Sequence, residues 1–121
     1  MVSEVAGISR SPYRVLQKQR RGDWDVRITI PDLGEFHDKT PLLVDDIVSS
    51  GVTMIEGARL LRTAGLPSPY CVAVHALFDD ATGARIESLT RAFLTTDTVP
   101  NKYSHFRVAP LIAEQLSSNC E

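Results

Sequence analysis

The segment Val44-Asp45-Asp46-Ile47-Val48-Ser49-Ser50-Gly51-Val52-Thr53 constrains the chain more than any other. Before it runs Pro41-Leu42-Leu43-Val44, a continuous apolar stretch of the kind expected for a strand covered on both faces. Two adjacent carboxylates end that stretch, and hydroxyls and a glycine then lead into a helical pattern. Met54, Ala58 and Leu61 share one stripe over 53–63, with Gly65 where a C-cap glycine belongs. The same alternation repeats downstream. Residues 70–78 form a second apolar run, 80–89 suit a helix, and 92–96 read as a third strand. Residues 110–117 suit a last helix, with Pro110 in its first turn. Strand, helix, strand, helix, strand with short connections implies an α/β fold with a parallel sheet and right-handed crossovers.

Upstream the pattern is weaker. Residues 2–8 read as the last turns of a helix, with Gly7 near its end, and 13–16 as a short strand bounded by Pro12. A polar stretch over 17–23 has no apolar anchor. Residues 24–30 alternate, with Trp24, Val26, Ile28 and Ile30 on one face, as a half-buried strand does.

With 121 residues, 43% of them hydrophobic, the chain can bury a core without disulfide or metal staples. A formal charge of −2 gives no general attraction to nucleic acid, and no apolar run reaches the ~20 residues of a membrane span. The opening residues lack the layout of a signal peptide, so a cytoplasmic location is expected. Cys71, in an apolar run, and Cys120, near the end, have no partners at metal-ligand spacing and read as structural or incidental.

Parallel sheets bind ligands beyond the C-terminal ends of their strands. Here those ends carry Asp45-Asp46, His75 with Asp79-Asp80, and Asp97-Thr98. A helix N-terminus offers unpaired N–H groups and positive dipole potential to a phosphate. Ser49, Ser50 and Thr53 add hydroxyls, and Gly51 lets the backbone turn closely around the anion. Aspartates would repel a phosphate but accept hydrogen bonds from vicinal sugar hydroxyls. Ribose hydroxyls at Asp45 and Asp46, with the 5′-phosphate at residues 49–53, satisfies both ends of the segment. A simple N-cap needs one hydroxyl and leaves the carboxylate pair unexplained.

This loop resembles the ribose-phosphate-binding motif of the type I phosphoribosyltransferase fold. Residues 13–20, 74–78, 96–100 and Val108-Ala109-Pro110-Leu111 extend the match, which is similar to the C-terminal domain of ribose-phosphate diphosphokinases. The resemblance implies a three-layer phosphoribosyltransferase-like domain over residues 1–121. It is expected to be truncated at its N-terminus and to lack its first strand. It also implies transfer of the β,γ-diphosphoryl group of ATP to ribose 5-phosphate with Mg²⁺, in a homo-oligomer. Lys18 and Arg20 match the family's catalytic Lys-x-Arg, whose cations stabilise charge on the transferring group. Metal ligands from the protein are not expected, nor are nucleic acid or membrane partners.

Val52 stands where many family members have a second glycine. In a helical conformation it is tolerable; in a left-handed one it would weaken phosphate binding. In the family the ATP contacts come largely from another domain, so the isolated chain is expected to be inactive. Two other functions compete: a non-catalytic ribose-phosphate-binding or regulatory subunit, and, less well supported, a small phosphoribosyltransferase. Lys18 and Arg20 favour the catalytic reading. His75 reads as a structural histidine, and Asp97 and Thr98 as bordering either the ribose or an interface.

Overall fold

The structure, a computed structural model, describes residues 1–20 and 26–119. Helix α1 (Val2–Ser9) leads through an irregular segment to β1 (Gln17–Arg20), which pairs antiparallel with β2 (Val26–Thr29). Strand β3 (Leu42–Val48), helix α2 (Val52–Thr63), strand β4 (Tyr70–Ala76), helix α3 (Asp80–Ser88) and strand β5 (Ala92–Thr96) then alternate. A short β6 (Ser104–Phe106) and helix α4 (Ala109–Asn119) follow. The second sheet has the order β3-β4-β5-β6, and every neighbouring pair is parallel. The α/β fold expected from the alternation is thus the one observed.

Crossovers of the usual hand that step across a sheet in one direction stack their helices on one face. The core shows this: Met54 and Ile55 of α2 and Ile86 of α3 meet Cys71 and Ala73 of β4 and Phe93 of β5 in a single buried cluster. Phe78, Phe93 and Tyr103 close its far end with ring centroids 5.0–6.1 Å apart. Cys71 is fully buried, and burial pushes its thiol up to about 12, so it packs as a small apolar side chain.

Two readings of the sequence are corrected, the expected strand at 13–16 and the end of β3; the helix expected at 110–117 is observed, and β6 is an addition. The expected strand at 13–16 is irregular, and the ladder forms instead on the polar residues of β1, with Lys18 opposite Ile28. Backbone pairing, and burial of Ile28 from the partner strand, supply the anchor that the polar stretch lacks. Trp24, Arg21 and Cys120 lie outside the described residues. Strand β3 does not stop at Val44 but continues through both aspartates to Val48, and it is an edge strand, with Leu42 49% exposed. Strand β6 carries no periodicity to predict it. It is set by a turn in which Asn101 Nδ2 donates to the buried Thr95 Oγ1 (2.9 Å) and Asn101 Oδ1 accepts from Tyr103 N–H (2.8 Å). Finally, α4 begins at Ala109 and leaves Leu111, Ile112 and Leu116 exposed.

Candidate functional site

The edge of the sheet and the start of α2 meet in a hollow of about 230 Å³. It is lined by Lys18, Asp45 and residues 47–54, so most of the residues singled out in the sequence converge there. Lys18 reaches it from β1, far away in sequence. Arg20 is two residues further along the same strand; its side chain lies outside the described residues.

The turn into α2 is made by Gly51, whose φ of 77° places it in the left-handed region that glycine alone occupies without cost. Space gives the same answer: a Cβ at Gly51 would lie 2.6 Å from Thr82 Cγ2. Gly51 is the N-cap, its carbonyl accepting from Ile55 N–H at 2.9 Å, and Val52 is the first helical residue. The two conformations left open for Val52 are thereby decided: the left-handed position falls on the glycine, and Val52 is helical. The hydroxyl residues do not cap the helix in the usual way. Ser50 Oγ accepts from Val52 N–H only at 3.5 Å, and no side chain bonds across the cap. The N-terminus of α2 therefore opens on the hollow with its positive end unquenched, which is the arrangement that receives an anion.

At the other end stands Asp45, with Asp46 beside it on β3 and outside the lining of the hollow. Asp45 Oδ1 accepts from Asp46 N–H (2.9 Å), and Asp46 Oδ1 accepts from Ile47 N–H (2.8 Å), so each side chain is oriented by the backbone that follows it. The two groups titrate as a pair. Burial, then the hydrogen bond shared with Asp46, raises the Asp45 carboxyl above its usual range; Lys18 acts in the opposite direction. The Asp46 carboxyl is lowered, first by the hydrogen bond with Asp45, then by Ile47 N–H, and least by the charge of His75. Asp45 is thus the partner that takes up a proton first as pH falls.

A raised carboxyl contributes stability that is present below its unfolded pKa and lost as pH rises through its folded value. Ionised Asp45 therefore works against folding at neutral pH. Asp45→Asn keeps an oxygen for Asp46 N–H and should raise the urea midpoint at pH 7, and the gain should vanish on acidification. A lower midpoint for the variant at pH 7 would show that the attraction of Lys18 outweighs burial.

The strand ends hold one group that sequence reasoning placed incompletely. Asp97 Oδ1 accepts from Val108 N–H (2.9 Å), joining β5 to the start of α4, so Asp97 is engaged within the fold. Thr98 lies with His75 instead: its Oγ1 is 2.8 Å from His75 Nδ1. Their 23-residue separation in sequence gives no signal of this contact. Among the described residues no three His, Cys, Asp or Glu side chains gather in a form that could hold a metal ion. No helix among them is long and apolar enough to cross a membrane.

Residues 2–111 match the family model described as phosphoribosyl transferase domain. The chain is 35% identical over 119 residues to the ribose-phosphate pyrophosphokinase of Methanopyrus kandleri, covering 98% of this chain and 40% of that protein. It is 31% identical over 113 residues to the enzyme of the same name from Pyrococcus abyssi, covering 93% and 38%. Against the crystal structure of phosphoribosylpyrophosphate synthetase from Mycobacterium smegmatis the TM-score is 0.69 at 24% identity, over 97% of this chain and 40% of that one. That likeness is one of fold. The chain spans about 40% of the length of the relatives it matches.

Proposed function

Because the chain belongs to the phosphoribosyl transferase domain family, we propose that its hollow binds the ribose 5-phosphate moiety, as part of a ribose-phosphate diphosphokinase. One observation carries this reading: a left-handed glycine cap opens the N-terminus of α2 onto the same hollow that Asp45 lines, with Asp46 next to it on β3. The 5′-phosphate takes the helix end at residues 49–53, and Asp45 and Asp46 accept hydrogen bonds from the ring hydroxyls. The names of the relatives support the choice of reaction.

In that reaction Lys18 is a cation already at the rim of the hollow, where it would offset charge on a diphosphoryl group. Arg20 would join it from the same strand. The chain is proposed to contribute the sugar-phosphate half of the site, with ATP held by parts of a longer protein or assembly, and to be inactive alone. Mg²⁺ prefers octahedral oxygen coordination and often binds through one or two carboxylates together with phosphates. Asp45 and Asp46 fit that as a pair and do not make a cage, so the ion would be held jointly with the diphosphate, neutralising its charge. A homo-oligomer in the cytoplasm is the expected setting. A non-catalytic ribose-phosphate-binding subunit would use the same hollow without needing Lys18.

Calorimetric titration separates these readings. Ribose 5-phosphate should bind, and phosphoribosyl pyrophosphate with Mg²⁺ should bind more tightly. Lys18→Ala should weaken the second ligand by about tenfold and leave the first nearly unchanged, since only the second brings a diphosphate to the lysine. Equal affinities of Lys18→Ala and the parent for the diphosphate would favour the binding subunit. A folded chain that takes up neither ligand would remove the sugar-phosphate reading altogether.

A further inference from the structure

His75 stands next to the hollow in the sheet, since its cross-strand partner Ile47 lines it. It lies near the C-terminal end of β4, paired with Ile47 of β3, so it is the cross-strand neighbour of the residue that follows Asp46. Its ring is held from one side only. Nδ1 lies 2.8 Å from Thr98 Oγ1, and that hydroxyl is 3.1 Å from Val74 O. Thr96 steadies the arrangement, its hydroxyl donating to Val74 O (2.6 Å) and accepting from Thr98 N–H (3.2 Å). A hydroxyl has one hydrogen. That of Thr98 goes either to Val74 O or to Nδ1, and in both cases Nε2 is the free nitrogen. Among the described residues Nε2 has no hydrogen-bond partner. His75 is half-buried.

A side chain that only tied β4 to β5 would need no more than the Nδ1 contact. Here the second nitrogen is left over on a residue whose cross-strand partner, Ile47, lines the hollow. We propose that His75, fixed by Thr98, is a specificity-determining residue of the sugar site, its Nε2 forming a hydrogen bond with one ribose hydroxyl alongside Asp46. The ligand class is a pentose 5-phosphate with an intact vicinal diol. This rests on the sugar-phosphate reading and adds a residue to it. A site built to pair with a hydroxyl rejects the analogue lacking it, because its own polar group is then left unpaired.

The test uses two substitutions that divide the imidazole. His75→Asn keeps a polar atom near Nδ1 for Thr98 and removes Nε2; His75→Gln reaches toward Nε2 and gives up the tie. Each is titrated with ribose 5-phosphate and with its 2-deoxy and 3-deoxy analogues, and urea midpoints report the fold. His75→Asn should bind ribose 5-phosphate about tenfold more weakly at an unchanged midpoint, and one deoxy analogue should be unaffected. The discrimination between that pair is then lost, and His75→Gln restores part of it. Unchanged affinity in His75→Asn, or equal losses for all three ligands, would overturn the role of His75 while leaving the sugar-phosphate site in place. Failure of the parent chain to bind any of the three would overturn both.

Discussion

Gly51→Ala should lower the stability of the chain by about 2–5 kcal/mol and abolish anion binding at the start of α2. Two separable effects add. An L-residue held in the left-handed region costs roughly 1–2 kcal/mol, and at φ 77° that cost falls on the new alanine. The added Cβ also meets Thr82 Cγ2 at 2.6 Å, inside any normal contact, with the Ile86 and Ile55 methyl groups 3.4 and 3.5 Å away. Overpacking of this kind costs roughly 1–3 kcal/mol. Thr82 belongs to the first turn of α3, where its N–H donates to the Asp79 carboxylate (2.8 Å), so the side chain is on a fixed backbone. Thr82→Ser removes the offending methyl and leaves that N–H untouched. The double variant Gly51→Ala/Thr82→Ser should therefore recover the steric part and retain the conformational part, as measured by urea unfolding of all four chains. Full recovery would mean that φ at position 51 imposes no strain. A Gly51→Ala chain as stable as the parent would remove the left-handed cap as the reason for glycine.

That cap also shows how far the sequence could be read. The hydrophobic stripes of α2 and the apolar runs of β4 and β5 determined their own elements, because burial on one face imposes a period and the period is visible. The candidate site was read from residue order, carboxylates followed by hydroxyls and a glycine where a strand gives way to a helix, together with the family resemblance. Which residue would be left-handed was not legible, since Gly51 and Val52 are adjacent and only the backbone assigns the helix start. The extension of β3 through Asp45 and Asp46 was hidden for a related reason. An edge strand with exposed residues can carry charge without losing its ladder, so the charged pair looked like an end and was not one. β1 was missed because Lys18 and Gln19 are ordered by pairing with β2, a long-range interaction with no local signature. The contact of His75 with Thr98 is of the same kind, made by two strand ends that only the sheet brings together.

Asp46→Ala should weaken ribose 5-phosphate binding by on the order of a hundredfold or more, since a charged acceptor serving sugar hydroxyls is lost outright. Asp46 is the member of the pair that keeps its charge to lower pH, its carboxyl lowered by the Asp45 hydrogen bond and by Ile47 N–H. Its lowered position means that the acceptor survives mild acidification, during which Asp45, raised by burial, is the first to take a proton. Binding should therefore persist as pH falls through the upper carboxylate range, and fail only when Asp46 itself is neutralised. Asp46→Asn distinguishes charge from geometry. The amide oxygen can still accept from Ile47 N–H at the 2.8 Å contact, so the strand end keeps its shape while the charge is gone. Its loss should be intermediate, about tenfold. Inorganic phosphate supplies the remaining arm. It needs the N-terminus of α2 and none of the carboxylates, so its affinity should be unchanged or slightly improved in both variants, as a nearby negative charge has been removed. If Asp46→Ala loses phosphate along with ribose 5-phosphate, the carboxylate is holding the loop in shape, and the division of the hollow into a sugar end and a phosphate end is wrong. If ribose 5-phosphate binds Asp46→Ala as it binds the parent, the hydroxyls lie elsewhere, and only the helix end remains of the site.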